Sequence, residues 1–169
     1  SFLPRLAEIL SQKGVGLHGS GEAAQLIFTG MSEGAPTVTV MGDEDYHKEY
    51  LEKEISIKVV EGVEEAVSHI NRFGSHHTDA IITADDAAWD YFSKMVDSAG
   101  VYRNVSTRFA DGFRYGFGAE VGVSTSKLHA RGPVGLEGLM TYKYRLTGHG
   151  QIVGDYAGGS KEFHFKDLL

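Results

Sequence analysis

Apolar residues recur first at helical spacing and then in short β-branched runs. Phe2, Leu3, Leu6, Ile9 and Leu10 share one helix face, and Gly14 is placed to end that helix. Residues 15–17 read as a short strand, 23–28 as a short helix, 32–36 as a loop and 37–40 as a β-branched strand. Residues 42–54 are acidic and irregular, with a helical turn expected near 46–51. A regular alternation follows. A strand at 55–60 precedes a helix with the stripe Val63, Ala66, Val67 and Ile70, which Gly74 ends. Residues 80–82 form the next strand. Thr83 is the expected N-cap, with Asp86 three residues on, and Trp89, Phe92 and Val96 line the helix behind it. Residues 100–103 are a further strand. Strands alternating with helices of this length predict an α/β layer with a mainly parallel sheet. In such sheets ligands sit beyond the carboxyl ends of the strands.

Regular pattern stops at Asn104. Residues 104–120, NVSTRFADGFRYGFGAE, hold three glycines, four aromatic residues and two arginines, without an aliphatic face. A second glycine-rich stretch, HARGPVGLEG, follows at 129–138. A strand is then expected at 142–146, a turn at 148–150, a returning segment at 151–153 and a loosely held tail from Gly158.

Composition narrows the class. The 169 residues suffice for one domain with a real core. A net charge of −7 offers no basic footprint for nucleic acid or for an anionic membrane surface. No apolar run approaches the length of a membrane span. With no cysteine, disulfide scaffolds, zinc–cysteine sites and thiol nucleophiles drop out. The segment SFLPRLAEIL has no basic stretch followed by an apolar one, so it does not read as a signal peptide, and a cytosolic location is the default. Ser1 opens almost directly on a helical pattern without an initiator Met, and the expectation is a piece of a longer protein.

Several apparent motifs lack their structural context. Gly30-Met31-Ser32-Glu33-Gly34 matches the G-x-S-x-G elbow, but that elbow needs a strand before it and a helix after it, and the predicted order is the reverse. Gly116-Phe117-Gly118 begins a near miss of the dinucleotide fingerprint, too far from the preceding strand to form its tight turn. Asn104-Val105-Ser106 matches a glycosylation acceptor, which means little without a secretion signal. The eight histidines show no ligand spacing, so no metal site is expected. Adjacent His76 and His77 point in different directions on any regular element, and His129 stands out only for its glycine-rich neighbours. The loop at 104–120 admits two readings. One is an Ω-loop packed by its own aromatics. The other is anion recognition, with Arg108 offering a planar fork, Ser106 and Thr107 hydroxyls, and the glycines close backbone approach.

The run NVSTRFADGFRYGFGAEVGVSTSKLHARGPVGLEGLMTYKY resembles the C-terminal signature of the γ-glutamyl phosphate reductase family, also called glutamate-5-semialdehyde dehydrogenases. VVEGVEEAVSHINRFGSHHTDAIIT and SFLPRLAEILSQKGVGLHG are similar to further stretches of that family, and EFHFKDLL is similar to the ends of fungal members. Val105 stands where Ala is usual, and Phe73 where His or Tyr is commoner. The resemblance implies a fold of the aldehyde-dehydrogenase type: a three-layer catalytic domain with a mainly parallel sheet and a C-terminal oligomerisation strand or hairpin. It implies a partial catalytic domain at 1–140, oligomerisation strands at 141–157 and a tail at 158–169. It also implies NADPH-dependent conversion of L-glutamyl 5-phosphate to L-glutamate 5-semialdehyde and phosphate in proline biosynthesis. A cysteine thioester carries that reaction, and its Cys is expected upstream of Ser1, as is the cofactor domain. No catalytic residue is therefore expected in this chain. The same resemblance fits the equivalent region of a bifunctional pyrroline-5-carboxylate synthase, which would place it in mitochondria in animals. A non-catalytic, dimerising fragment is the reading from another class.

Carried over residue by residue, the resemblance places Glu49 on the nicotinamide-side ribose and Leu51 against the cofactor. It places Asn104, Ser106, Thr107 and Arg108 in the substrate pocket, with Arg108 on the α-carboxylate or, as second choice, the phosphate. Gly116, Gly118 and Glu120 correspond to a loop that grips the substrate's backbone end. His129 and Arg131 are expected to be structural. Residues 142–146 correspond to a strand that extends a partner subunit's sheet, which implies a homodimer or higher homo-oligomer.

Overall fold

The computed structural model describes residues 2–30, 34–127, 129–145, 147, 149–150 and 152–162. Residues 1–139 form one compact unit and 140–169 a second.

The first unit opens with α1 (Phe2–Gln12), which buries Pro4 and Ala7. Pro4 is tolerated because a helix's first turn leaves its N–H groups without acceptors. The chain reverses at Gly14 and enters β1 (Gly16–Gly19), and α2 (Gly21–Thr29) follows. Ser20 caps α2, its Oγ accepting from Ala23 N–H at 3.2 Å. β2 (Val38–Val40) and β3 (Glu54–Ile57) flank β1, and both run parallel to it. Ala7, Leu17 and Ile27 form the core between helices and sheet, with Leu3, Leu10, Val38 and Ile57 packed on it. The acidic stretch holds a 3₁₀ turn at Asp43–His47, earlier than the turn expected at 46–51. Asp45 draws it forward, because its carboxylate accepts the Gly42 N–H at 2.9 Å.

The second βα repeat is β4 (Thr78–Ile81), α4 (Asp86–Met95) and β5 (Gly100–Arg103), preceded by α3 (Val63–Phe73). β4 and β5 pair in parallel. The expected stripes supply the core: Val67 from α3, Phe92 from α4 and Val96 after it, with Val63, Ile70 and Trp89 alongside. The N-cap of α4 is Asp85, not Thr83. Its Oδ1 accepts from Ala87 N–H at 2.8 Å and Ala88 N–H at 3.3 Å, while the Thr83 hydroxyl accepts only from Asp85 N–H. A carboxylate two residues nearer the helix reaches both free N–H groups.

The sequence pattern did not predict the antiparallel hairpin of β6 (Gly122–Ser124) and β7 (Gly132–Val134). Outside the two cores, Phe2, Phe28, Val40 and Ile82 are 78%, 71%, 66% and 90% exposed.

In the second unit, residues 142–145 make no strand ladder within the chain, and the Tyr142 and Tyr144 rings meet edge to face at 5.4 Å. The expected strand at 142–146 is thus absent as a paired element here; Leu146 lies outside the described residues. Of the return expected at 151–153, Gln151 lies outside the described residues, and Val153 instead begins α5 (Val153–Ala157). Asp155 favours the helix, since its backbone carbonyl accepts from Lys161 N–H and its carboxylate pairs with Lys161 Nζ at 2.7 Å. The same bonds hold residues 158–161, so the start of the expected loose tail is tied back. The fungal-like segment, from Phe163 on, lies outside the described residues, as does the Met31–Glu33 part of the G-x-S-x-G match.

Candidate functional site

The long loop leaves the carboxyl end of β5, and Asn104 sets its direction. Asn104 adopts φ +54, a left-handed conformation that asparagine tolerates better than most residues. Its backbone N–H donates to Ile81 O at 2.9 Å. Its side chain bonds the Thr83 backbone twice, with Oδ1 accepting from Thr83 N–H and Nδ2 donating to Thr83 O, both at 2.9 Å. Arg103 adds a bond from Nε to Thr83 O at 3.3 Å and pairs through Nη1 with Asp86 at 2.7 Å. Asn104 therefore fastens the ends of β4 and β5 together, and its carboxamide is committed to backbone.

Ser106 caps a 3₁₀ turn at Thr107–Phe109, its Oγ accepting from Arg108 N–H at 3.2 Å. This turn presents Thr107 and Arg108 outward. Beyond it the chain closes on itself. Asp111 Oδ1 accepts from Phe113 and Arg114 N–H, and Arg114 Nη1 reaches Asp111 Oδ2 at 2.8 Å and Arg108 O at 3.0 Å. Glu120 Oε2 accepts from Gly112 N–H at 2.8 Å and shuts the loop. Gly112 permits this approach, since a Cβ there would lie 2.3 Å from Ala119 O. Phe109, Phe113 and Phe117 are 52%, 68% and 52% exposed. Polar and backbone bonds close the loop while its three phenylalanines stay largely exposed.

The Tyr102 hydroxyl on β5 hydrogen-bonds the Tyr115 hydroxyl, and the Tyr115 ring meets Phe117 edge to face at 5.6 Å. Burial first, and the bond to Tyr115 second, push the Tyr102 phenol up to about 12.

Two clefts flank this loop. One, of about 480 Å³, lies between Gly116–Phe117 and the stretch around β7, including Arg131, Pro133 and Glu137. Arg131 is engaged there by Asp97, its Nη2 donating to Asp97 O at 3.0 Å and Oδ1 at 3.2 Å. Lys127 first, and Arg131 with it, hold the Asp97 carboxyl below the usual carboxylate range.

The other cleft, of about 470 Å³, brings Glu49 to Thr107 and Arg108. Ser75, His77 and Thr78 line it from the start of β4, and Val123 and Thr125 from the hairpin. Among the described residues, neither the Arg108 guanidinium nor the Glu49 carboxylate has an ion pair or hydrogen bond. The other arginines of residues 72–131 each have a carboxylate: Arg72 with Glu44, Arg103 with Asp86, Arg114 with Asp111, and Arg131 with Asp97.

The structure therefore brings together three of the expected residues, Glu49, Thr107 and Arg108. Ser106 supports them as a cap. Gly116 lines the other cleft, and its N–H donates to Phe113 O at 3.0 Å, inside the loop. Glu120 is the loop's clasp, and Gly118 takes φ +71 next to it. Leu51 is 86% exposed at φ +58 and does not line the cleft with Glu49. Sequence reasoning missed Ser75, His77, Thr78 and Thr125. The available signal was the His76-His77 pair. His76 takes φ +59 and turns its Nδ1 onto Asp97 O at 2.9 Å, while His77 faces the cleft.

Parallel βα units with a long loop leaving the carboxyl end of β5, and a cleft beside that loop where Glu49 and Arg108 are unpaired among the described residues, give the α/β architecture found in dehydrogenase catalytic domains. No protein-family model matches the chain. A γ-glutamyl phosphate reductase of Synechocystis is 53% identical over 99% of the chain, and one from Ruminiclostridium cellulolyticum is 52% identical over 96%. The crystal structure of γ-glutamyl phosphate reductase from Thermotoga maritima superposes with a TM-score of 0.79 at 39% identity over 90% of the chain. That from Saccharomyces cerevisiae gives 0.50 at 28% identity over 92%. The chain is homologous along its whole length to one region of the γ-glutamyl phosphate reductases. It spans 37% and 35% of the two bacterial relatives, and 35% and 33% of the two crystallised chains.

Proposed function

We propose that this chain is the substrate-facing C-terminal part of an NADPH-dependent γ-glutamyl phosphate reductase acting in the cytoplasm in proline biosynthesis. The reaction is the conversion of L-glutamyl 5-phosphate to L-glutamate 5-semialdehyde and phosphate. The observation that carries it is the shared cleft of Glu49 and Arg108, each side chain without a partner among the described residues. Homology to the reductases and the exposed apolar side chains outside the two cores support a region that belongs to a larger body.

The residues present suit the parts they would play. A carboxylate is acceptor-only and can take two ribose hydroxyls, and Glu49 is unengaged, so it fits a nicotinamide ribose. When bound, the nicotinamide supplies hydride. Arg108 and Thr107 orient an acidic group of the substrate, and the Ser106 cap and the Asp111–Glu120 framework keep both in place. A cysteine outside this chain would displace phosphate as a thioester, which divides one difficult substitution into two easier steps. Residues 142–146 would pair with the sheet of a second subunit, consistent with the lack of a ladder at 142–145 among the described residues.

The test is kinetic. In the full-length reductase, Arg108→Lys should raise KM for L-glutamyl 5-phosphate about tenfold, because a point charge replaces a bidentate fork. An unchanged KM would make the arginine structural. The 169-residue chain alone should show no turnover; turnover would refute the need for an outside nucleophile.

A further inference from the structure

The Arg108 cleft contains more donors than a carboxylate uses. Besides Arg108 it is lined by four hydroxyl-bearing residues, Ser75, Thr78, Thr107 and Thr125, and by His77. Two of these groups already have a hydrogen-bond partner within the chain. Ser75 Oγ accepts from His77 N–H at 3.3 Å, so its own proton is free to point elsewhere. His77 Nδ1 lies 2.7 Å from Thr78 Oγ1. When the threonine donates, the ring proton sits on Nε2, and the imidazole becomes a second neutral donor.

We propose that this cleft is a phosphate subsite, formed by Arg108 and Thr107 from the loop and Ser75 and His77 from the start of β4. A planar carboxylate is satisfied by one bidentate guanidinium and offers little to three further donors, two of them on another segment. A tetrahedral phosphate offers three unesterified oxygens and higher charge, which matches one fixed cation surrounded by neutral donors. Glu49 lines the same cleft and repels a dianion, which directs the phosphate to the Arg108 side. The inference rests on the reductase reading for the source of the phosphate, the substrate's acyl phosphate or the inorganic phosphate it releases. It reverses the order of preference for Arg108 drawn from resemblance, in which the α-carboxylate came first. It also adds His77 as a phosphate-binding residue.

The test is a titration of the isotope-labelled chain with inorganic phosphate and, separately, with L-glutamate, followed by amide NMR. Phosphate should shift His77, Thr107 and Arg108, and glutamate should leave them in place. Arg108→Gln should weaken phosphate binding about tenfold and His77→Gln by a smaller factor. Arg5→Gln on α1 should change nothing. Each variant's amide spectrum reports whether it has folded. Shifts with glutamate but not phosphate, no shifts with either, or phosphate shifts that survive both cleft variants would each overturn the subsite. Reductase activity of the full-length protein without phosphate binding here would sink this inference and leave the proposed function standing. Phosphate binding without reductase activity would do the opposite.

Discussion

The Asn104 carboxamide bonds the Thr83 backbone in both directions, donating to its carbonyl and accepting from its N–H at 2.9 Å each. One side chain thereby fixes where β4 and β5 release the chain, and the turn that presents Thr107 and Arg108 starts from that point. Asn104→Ala should lower stability by about 1–2 kcal/mol, from the lost bonds and from alanine's strain in the left-handed region. Asn104→Gly removes the same bonds without the strain and should cost less. Urea titration of both variants checks this; equal losses would mean that φ contributes nothing.

The Tyr102–Tyr115 pair predicts behaviour at high pH. The Tyr102 phenol is raised to about 12 in the fold, above its ordinary value of 10.0. The folded state therefore holds a proton that the unfolded chain has released. The associated stability is complete below pH 10.0 and is lost as pH rises through about 12. Tyr115→Phe should bring the Tyr102 titration part of the way down, since burial, the larger cause, remains. Tyrosinate absorbance across a pH series reads this directly.

His69 should govern the acid side. Burial first, and Lys58 second, hold its imidazole below the ordinary 6.5. Its ring meets Tyr46 and Phe73, each at 4.8 Å, and Nδ1 is buried without a hydrogen bond among the described residues. The folded state thus favours the neutral ring, and the stability gained is present above pH 6.5 and lost as pH falls below it. His69→Phe should flatten the loss of thermal stability between about pH 7 and pH 5. A slope unchanged by the substitution would assign it to another group.

How far the sequence could be read varied from residue to residue. The stripe of Val63, Val67 and Ile70 and the pair Phe92 and Val96 were legible because burying one face of a helix imposes a period. Thr83 misled because a hydroxyl and a carboxylate are both good caps, and reach alone selected Asp85. β6 and β7 were illegible because Gly122, Gly132 and Pro133 carry no alternation of apolar and polar side chains. The loop's chemistry was visible in Arg108 and its neighbours. That Glu120, Asp111 and Asn104 bond backbone groups in the fold was not, because a carboxylate or carboxamide looks the same whether it serves a ligand or a backbone N–H.

Local patterns determined the helices, the parallel βα order and the presence of an anion-seeking loop, because each depends on residues close together in the chain. Only the tertiary structure decided which charges remain free. Asp86, Asp111 and Asp97 reach Arg103, Arg114 and Arg131 and neutralise them, while the cleft gathers His77, Ser75 and Thr125 with Arg108, which is unpaired among the described residues. Whether a guanidinium meets a carboxylate or a ligand depends on which distant segments the fold packs beside it.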